Sequence, residues 1–480
     1  MGSPRVAVVG AGFGGIAVAA ALKRAGHHDV VILEKGDDVG GVWRENTYPG
    51  CGGDIPAPLY SLSFAQNPDW SRRYPPYTEI AAYLRRVVAD EGLGPHLRLG
   101  TAVHSAAWED AAGHWVLDTS GGEVVADVLV PATGLLSRPR EAELPGAGTF
   151  RGDQFHTAEW DHGADLAGRR VAVVGTGASA AQVVPRVADV AAHVTVFQRT
   201  PPWTLPKFDR RYGRLSRALR RRFPVLMLPG RLGFWWLTVF VGWAVTGRPL
   251  ARPLLRAVSR AQLRRQVRDP ELRRRLTPDY PIGCKRVVFT GEFLPALSRP
   301  HVRLVPEAVV EVLPGGVRSA DGEEHPCDAI VWATGFDTTR FLAPMTVTGA
   351  GGRPLAEAWA AGAYAYLGMT VPGFPNMFVI YGPNTNTGNT SVLYFEESQA
   401  RYVVQAVGEI ARRGPLDVRD DVARRYDAEI QGRLAGSVWT ACSNWYRTTT
   451  GRVVANWPGM AAEYRRRTRR LNPSDYADTA

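Results

Sequence analysis

The chain has 480 residues, 45% of them apolar and 21% charged; that is an ordinary globular balance, too long for one core, and it predicts two or three domains. The formal net charge of +11 comes from an almost purely arginine set of cations with no recognition motif beside it, which reads as coding bias and not as a nucleic-acid surface. Cys51, Cys284, Cys327 and Cys442 stand far apart without a C-x-x-C pair, which predicts no disulfide framework, no metal site and no dithiol redox centre; with no secretory apolar run at the N-terminus, a cytoplasmic protein is expected.

The first predicted element is a short apolar strand, Val6-Ala7-Val8-Val9, which runs into Gly10-Ala11-Gly12-Phe13-Gly14-Gly15. An alanine-rich helical stretch (Ile16 to Lys23) and a second strand, Val30-Val31-Ile32-Leu33, follow and end in Glu34. Each glycine has a physical task. Gly10 allows a tight turn, Gly12 lets backbone approach a pyrophosphate, and Gly15 lets helix pack on strand. The helix start around Gly14 offers unpaired N–H groups and a favourable dipole to phosphates. Glu34, 24 residues after Gly10, is placed to accept hydrogen bonds from a ribose diol.

The same unit recurs 165 residues later as Val171-Ala172-Val173-Val174, then Gly175-Thr176-Gly177-Ala178-Ser179-Ala180, a helical stretch, and Val194-Thr195-Val196-Phe197 ending in Gln198-Arg199-Thr200. Arg199 lies the same 24 residues after Gly175. A cation at that place suits a 2′-phosphate, so the first unit is expected to take FAD and the second NADPH. One such glycine turn is weak evidence. Two at matching spacing are strong.

Between about Thr204 and Gly283 the chain is arginine-rich. Leu232 to Gly247 are sixteen uncharged residues flanked by Arg220, Arg221 and Arg222 on one side and Arg248, Arg252 and Arg256 on the other. A spanning helix needs roughly 18 apolar residues, so this stretch predicts a buried helix or an apolar lid. A helix lying in a membrane interface, through 224–247, is the alternative. The spacing of Leu254, Leu255, Val258, Ala261 and Leu263 predicts a helix with one apolar face, in a subdomain ended by Pro278 and Pro281. Near the C-terminus a turn-rich loop, Tyr381-Gly382-Pro383-Asn384-Thr385-Asn386, precedes a helical run from about Val392 to Ala411, whose N–H groups would suit a reduced flavin.

Four segments carry a family resemblance. Phe150-Arg151-Gly152-Asp153-Gln154-Phe155-His156-Thr157-Ala158-Glu159-Trp160-Asp161 fits F-x-G-x-x-x-H-x-x-x-W-[PD], and Gly40, Gly41, Trp43, Tyr48, Pro49, Gly50 and Asp54 fit a second pattern ending in aspartate. In these the chain resembles the type I Baeyer–Villiger monooxygenases, a class B flavoprotein family. Tyr280-Pro281-Ile282-Gly283-Cys284-Lys285-Arg286 is similar to the family segment bearing the active-site arginine. Cys442-Ser443-Asn444-Trp445-Tyr446 looks like the C-terminal loop whose tryptophan contacts NADP, with Asn444 where relatives often carry serine.

The resemblance implies an α/β fold with two Rossmann-like domains and an inserted helical subdomain. The flavin domain would comprise 1–140 and 340–480, the NADPH domain 145–203 and 284–339, and the helical lid 204–283. The A-T-G segments Ala132-Thr133-Gly134 and Ala333-Thr334-Gly335 would mark the crossings. The reaction implied is insertion of one oxygen of O2 beside a ketone carbonyl, through a flavin C4a-peroxide, with NADPH as reductant; an N- or S-monooxygenase on the same fold is the alternative. A permanently charged arginine suits an anionic peroxide and the tetrahedral adduct. Arg286 is the candidate, with Asp54 as its partner. Trp43 and Trp445 are expected at the cofactors, Lys285 and Thr200 beside Arg199 at the 2′-phosphate, and His156 in a structural linker. The aromatic stretch at Trp235 and Trp236 hints at a bulky lipophilic ketone.

Overall fold

The computed structural model describes residues 3–140, 142–245, 251–388 and 390–477. Runs of valine set its frame. Val6–Val9 and Val128–Pro131 are buried on both faces, the pattern of strands covered above and below. They belong to a parallel sheet in the order Leu97–Arg98, Val30–Leu33, Val6–Val9, Val128–Pro131. A second parallel sheet runs Val302–Val305, His193–Phe197, Arg170–Val174, Ala329–Trp332, Asp153–His156. Helix Phe13–Arg24 follows the first strand of one sheet and helix Ala178–Val187 follows Arg170–Val174 of the other. The fold is α/β, as expected, with both glycine turns in the predicted strand-to-helix position.

Two smaller sheets complete the frame. Thr346–Thr348, Val103–Glu109, His114–Thr119 and Val124–Ala126 form one, and the antiparallel strands Val309–Leu313, Gly316–Ser319 and Glu324–Pro326 the other. The long helix Leu393–Arg413 packs across Phe13–Arg24 through Phe395, Ala400, Val403 and Val407, which are buried at near-helical spacing. It begins and ends within two residues of the predicted bounds.

The arginine-rich insertion is helical: Arg214–Arg222, Leu228–Val245, Ala251–Gln266 and Pro270–Arg275. Its entry strand Thr204–Leu205 pairs with Val288–Phe289. Two expectations need correction. The uncharged stretch is not a buried helix; only 6% of the apolar window in Pro224–Trp243 is fully buried, the rest being half-buried or exposed. In Ala251–Gln266, Leu255 and Leu263 are buried but Leu254 and Val258 face outward, because Ser259 and Gln262 take the inner positions. Gln262 donates from Nε2 to the Thr290 carbonyl at 2.7 Å, so a polar residue with a partner displaced an apolar one. Thr246, Gly247 and Arg248 lie outside the described residues.

Candidate active site

The carboxyl ends of both parallel sheets open onto one cavity of about 950 Å³, the place where open α/β sheets bind ligands. From the first unit it is lined by Gly10, Gly12, Gly14 and Glu34, and from the second by Gly177, Ser179 and Thr200. Trp43, Asp54, Lys285, Arg286 and Trp445 also reach it. Gly175 lies one residue behind the lining Thr176, and Gly15 is buried in the first turn of its helix. Arg199 does not line the cavity; it is exposed at the edge, next to Thr200.

The glycines test whether dinucleotides fit. A Cβ on Gly177 would meet nothing within 4 Å, and one on Gly12 only the Gly41 Cα at 3.7 Å. Neither position is glycine because protein atoms crowd it. Both leave backbone bare toward the cavity at a helix N-terminus, where a phosphate approaches. Glu34 is buried, with Oε2 accepting from the Ala11 N–H at 2.8 Å and Oε1 from the Gly36 N–H at 2.9 Å. Arg44 Nη2 also stands 3.3 Å from Oε1; a carboxylate has about four acceptor sites, so one remains for a ribose hydroxyl. The residues fit the two groups.

Between the two turns stands an ion pair. Arg286 donates from Nε to Asp54 Oδ2 at 2.9 Å, with Nη2 on the same oxygen at 2.5 Å. Asp54, more than any other neighbour, holds the guanidinium above its ordinary value, so it is charged at any working pH. Tyr381 and Tyr446 face the same cation. Burial pushes the Tyr446 phenol up to about 12 although Arg286 opposes it. Next along the chain, Lys285 lies 4.9 Å from the Tyr280 ring centroid. Burial, then the neighbouring Arg199, hold its ammonium below the ordinary value, which places two cations together at the mouth of the second turn. Trp43 donates from Nε1 to the Tyr60 hydroxyl at 3.0 Å.

His156 is at the end of the strand Asp153–His156, away from the cavity lining. Its Nδ1 accepts from the Ala158 N–H at 3.0 Å, and burial lowers its pKa to about 4. Trp160 packs edge-on against Phe155 at 4.8 Å. Neither touches the Arg286–Asp54 pair.

The cysteine expectation fails. Cys284 and Cys442 form a disulfide with a Cα–Cα separation of 6.1 Å across 158 residues of sequence. A pair so far apart leaves no local spacing signal; only the fold brings them together. The bond ties the segment of Lys285 and Arg286 to the loop of Trp445, where Asn444 donates from Nδ2 to the Trp439 carbonyl at 2.8 Å. Cys51 and Cys327 are free and buried.

Sequence reasoning missed Glu396 altogether. It lies on Leu393–Arg413, lines the cavity, and is buried with Oε2 lacking a partner among the described residues. Burial, then the charge of Glu397, push it up to about 8. The available signal was a carboxylate inside an apolar stripe. Lys207 is a half-buried group near Asp54, held below its ordinary value by burial.

A family profile described as pyridine nucleotide-disulphide oxidoreductase matches residues 7–228. That match and the two cradles define a nucleotide-binding oxidoreductase class. The narrower relation comes from whole-chain similarity. A Baeyer–Villiger monooxygenase of Streptomyces coelicolor is 42% identical over 98% of this chain and 92% of its own length. Among solved structures, OTEMO in complex with FAD and NADP superposes with a TM-score of 0.89 at 26% identity, covering 99% of this chain and 100% of that one. An oxidised steroid monooxygenase bound to NADP gives 0.87 at 29% identity, covering 100% and 99%. The chain belongs to the Baeyer–Villiger monooxygenase family: it is an FAD- and NADPH-dependent monooxygenase that oxidises a ketone to an ester or lactone with O2.

Proposed function

We propose that Arg286 is the cation at which oxygen transfer takes place, and that Asp54 positions it. FAD held by the first glycine turn would supply the activation of O2, with NADPH as the reductant. The guanidinium then lies where negative charge develops, first on the attacking oxygen and then on the former carbonyl oxygen of the ketone. A fixed cation in a water-poor cavity stabilises such charge more than bulk solvent does. Asp54 holds the planar group through one carboxylate oxygen, so the guanidinium pivots about that oxygen without losing its partner. The carrying observation is this pair, set between the two glycine turns in a single cavity.

In the same reading, Gly10, Gly12, Gly14, Gly15 and Glu34 hold FAD. Gly175, Gly177 and Ser179 hold the pyrophosphate of NADPH, with Arg199, Thr200 and Lys285 around its 2′-phosphate. Trp43 and Trp445 stack or bond at the cofactors. The flavin domain takes 1–140 and 340–480, the NADPH domain 145–203 and 284–339, and 204–283 acts as a lid. The aromatic residues of that lid favour a bulky lipophilic ketone.

The test is Arg286→Ala in the FAD-loaded enzyme, followed by NADPH consumption and ester or lactone by mass spectrometry over a ketone panel. Ester formation is expected to fall by a factor on the order of 10²–10³ with FAD retained. Ester formed at near wild-type rate would remove Arg286 from this role. An oxidised tertiary amine as the main product, with no ester, would favour N-oxygenation.

A further inference from the structure

Helix Leu228–Val245 has two unlike sides. Trp235 packs inward on Tyr394 at 5.0 Å between ring centroids, and Phe240 joins the small core of Trp203, Leu205 and Ile282. Arg231 donates from Nη1 to the Pro58 carbonyl at 3.1 Å. The exposed side carries Leu232, Trp236, Leu237 and Trp243, which are 58%, 65%, 54% and 39% exposed. An outer helix stripe is normally polar. This one is apolar and continues into the exposed Val225, Phe223 and Leu219 of the preceding turns, which marks an interaction surface.

Charge says what covers it. From Arg210 to Arg268, 59 residues hold fifteen arginines and not one aspartate or glutamate. Taking these from the whole-chain value of +11 leaves −4 on all other residues. The basic character of the protein therefore resides in this one insertion, and coding bias does not account for it. A second copy of the chain meeting the same surface would set the two arginine groups against each other. A nucleic acid would satisfy the arginines but not the leucine and valine stripe. An anionic bilayer satisfies both, with phosphates for the arginines and the acyl boundary for leucine and tryptophan.

We propose that the insertion, centred on Leu228–Val245, docks in the plane of an anionic phospholipid membrane. The helix lies flat, because one of its sides is engaged by Tyr394, Phe240's cluster and the Pro58 carbonyl; a spanning helix would have to leave them. Tyr394 neighbours Leu393, which lines the active cavity, so the docked face stands next to the site. The proposal deepens the lipophilic-ketone reading, but its test does not depend on turnover.

The test is cosedimentation of the full-length FAD-loaded enzyme with vesicles of phosphatidylcholine alone and of phosphatidylcholine with phosphatidylglycerol. Binding is expected to the mixed vesicles, at least about tenfold stronger than to phosphatidylcholine, and to weaken with salt. The pair Leu232→Asp and Trp236→Asp is expected to abolish it. Arg220→Gln, Arg221→Gln and Arg222→Gln together are expected to weaken it about tenfold or more. Flavin absorbance and circular dichroism of the variants check that they fold. Equal or no binding to the two vesicles, or full binding by the aspartate pair, overturns the proposal. So does a dimer in solution that the aspartate pair dissociates, with no vesicle binding, since the stripe then serves a second copy. Vesicle binding without ketone oxidation would instead count against the oxygen-transfer reading alone.

Discussion

At the first glycine turn Gly10 has φ of 107° and a Cβ there would stand 2.7 Å from the Ala132 carbonyl oxygen; at the second Gly175 has φ of 117° and the distance is 2.4 Å to the Ala333 oxygen. The opening residue is thus fixed twice by the same two constraints, a left-handed backbone and a passing strand end. Five residues on, the turns diverge. A Cβ at Gly15 would be 1.9 Å from the Gly10 carbonyl oxygen, whereas Ala180 carries its methyl fully buried. The strand ends diverge further, to a buried Glu34 bonded at both oxygens and an exposed Arg199 beside Lys285. One scaffold is kept by sterics, while the two residues proposed to set its ligand preference are left free by sterics to differ.

The sharpest break of the symmetry is Gly15→Ala. The methyl would meet the Gly10 carbonyl oxygen at 1.9 Å and the Val8 side chain at 3.3 Å, and the carbonyl is backbone that cannot swing aside, so the first helix must move off its strand. A loss of roughly 3 kcal/mol or more is expected, read by thermal melting, along with colourless protein on purification. Yellow protein with an unshifted Tm would show that the two turns pack alike.

A second difference is charge. Gly14 of the first turn lies under Glu396, so that a methyl on Gly14 would stand 3.6 Å from the carboxyl, and Tyr60 faces the same group. The folded pKa of Glu396, about 8, exceeds the 4.5 of an ordinary glutamate. Below pH 4.5 the group is neutral in both states and its contribution is complete. Between 4.5 and 8 the unfolded chain ionises and the folded one does not, so stability falls with rising pH and levels off above 8. Glu396→Gln is expected to flatten that slope, by roughly 2–4 kcal/mol between the two ends. Parallel melting curves for both proteins from pH 5 to 8.5 would refute it.

How much of this is legible in the sequence follows from range. Both turns, Glu34 and Arg199 are set by contacts within about 25 residues, and periodicity with glycine spacing reaches that far. Asp54 and Arg286 are 232 residues apart, and only family resemblance pairs them. The disulfide has no such pointer, and the separation of Cys284 from Cys442 reads as evidence against it. The helix at 228–245 shows itself by its lack of charge, but burial depends on what lies opposite, and an apolar run looks the same against protein or against solvent. Glu396 is hidden by a helix that looks complete without it.

Selectivity between coenzymes is the next smaller effect. Arg199→Ala removes a cation from the edge of the second turn and leaves Lys285 there. The loss should fall on NADPH and spare NADH, changing the ratio of their kcat/KM values by about 10–100-fold, or about 1.4–2.7 kcal/mol. An unchanged ratio would detach Arg199 from the 2′-phosphate.

The smallest effect is the converse of the first. Ala180→Gly makes the second turn resemble the first, and it removes a methyl that nothing requires to be absent. The cost should be about 0.5–1 kcal/mol, from helix entropy and one lost buried methyl. NADPH affinity, read by quenching of flavin fluorescence or by KM, should stay within about twofold, because in the proposed reading the pyrophosphate meets Gly177 and the helix N-terminus and not position 180. The two substitutions at equivalent places would then differ severalfold in free energy and would differ in what they disturb, helix docking in one case and only local entropy in the other. If Ala180→Gly instead cost as much as Gly15→Ala, the third position would be fixed by side-chain packing in the second turn, and the steric account of why the first needs glycine would not extend to its partner.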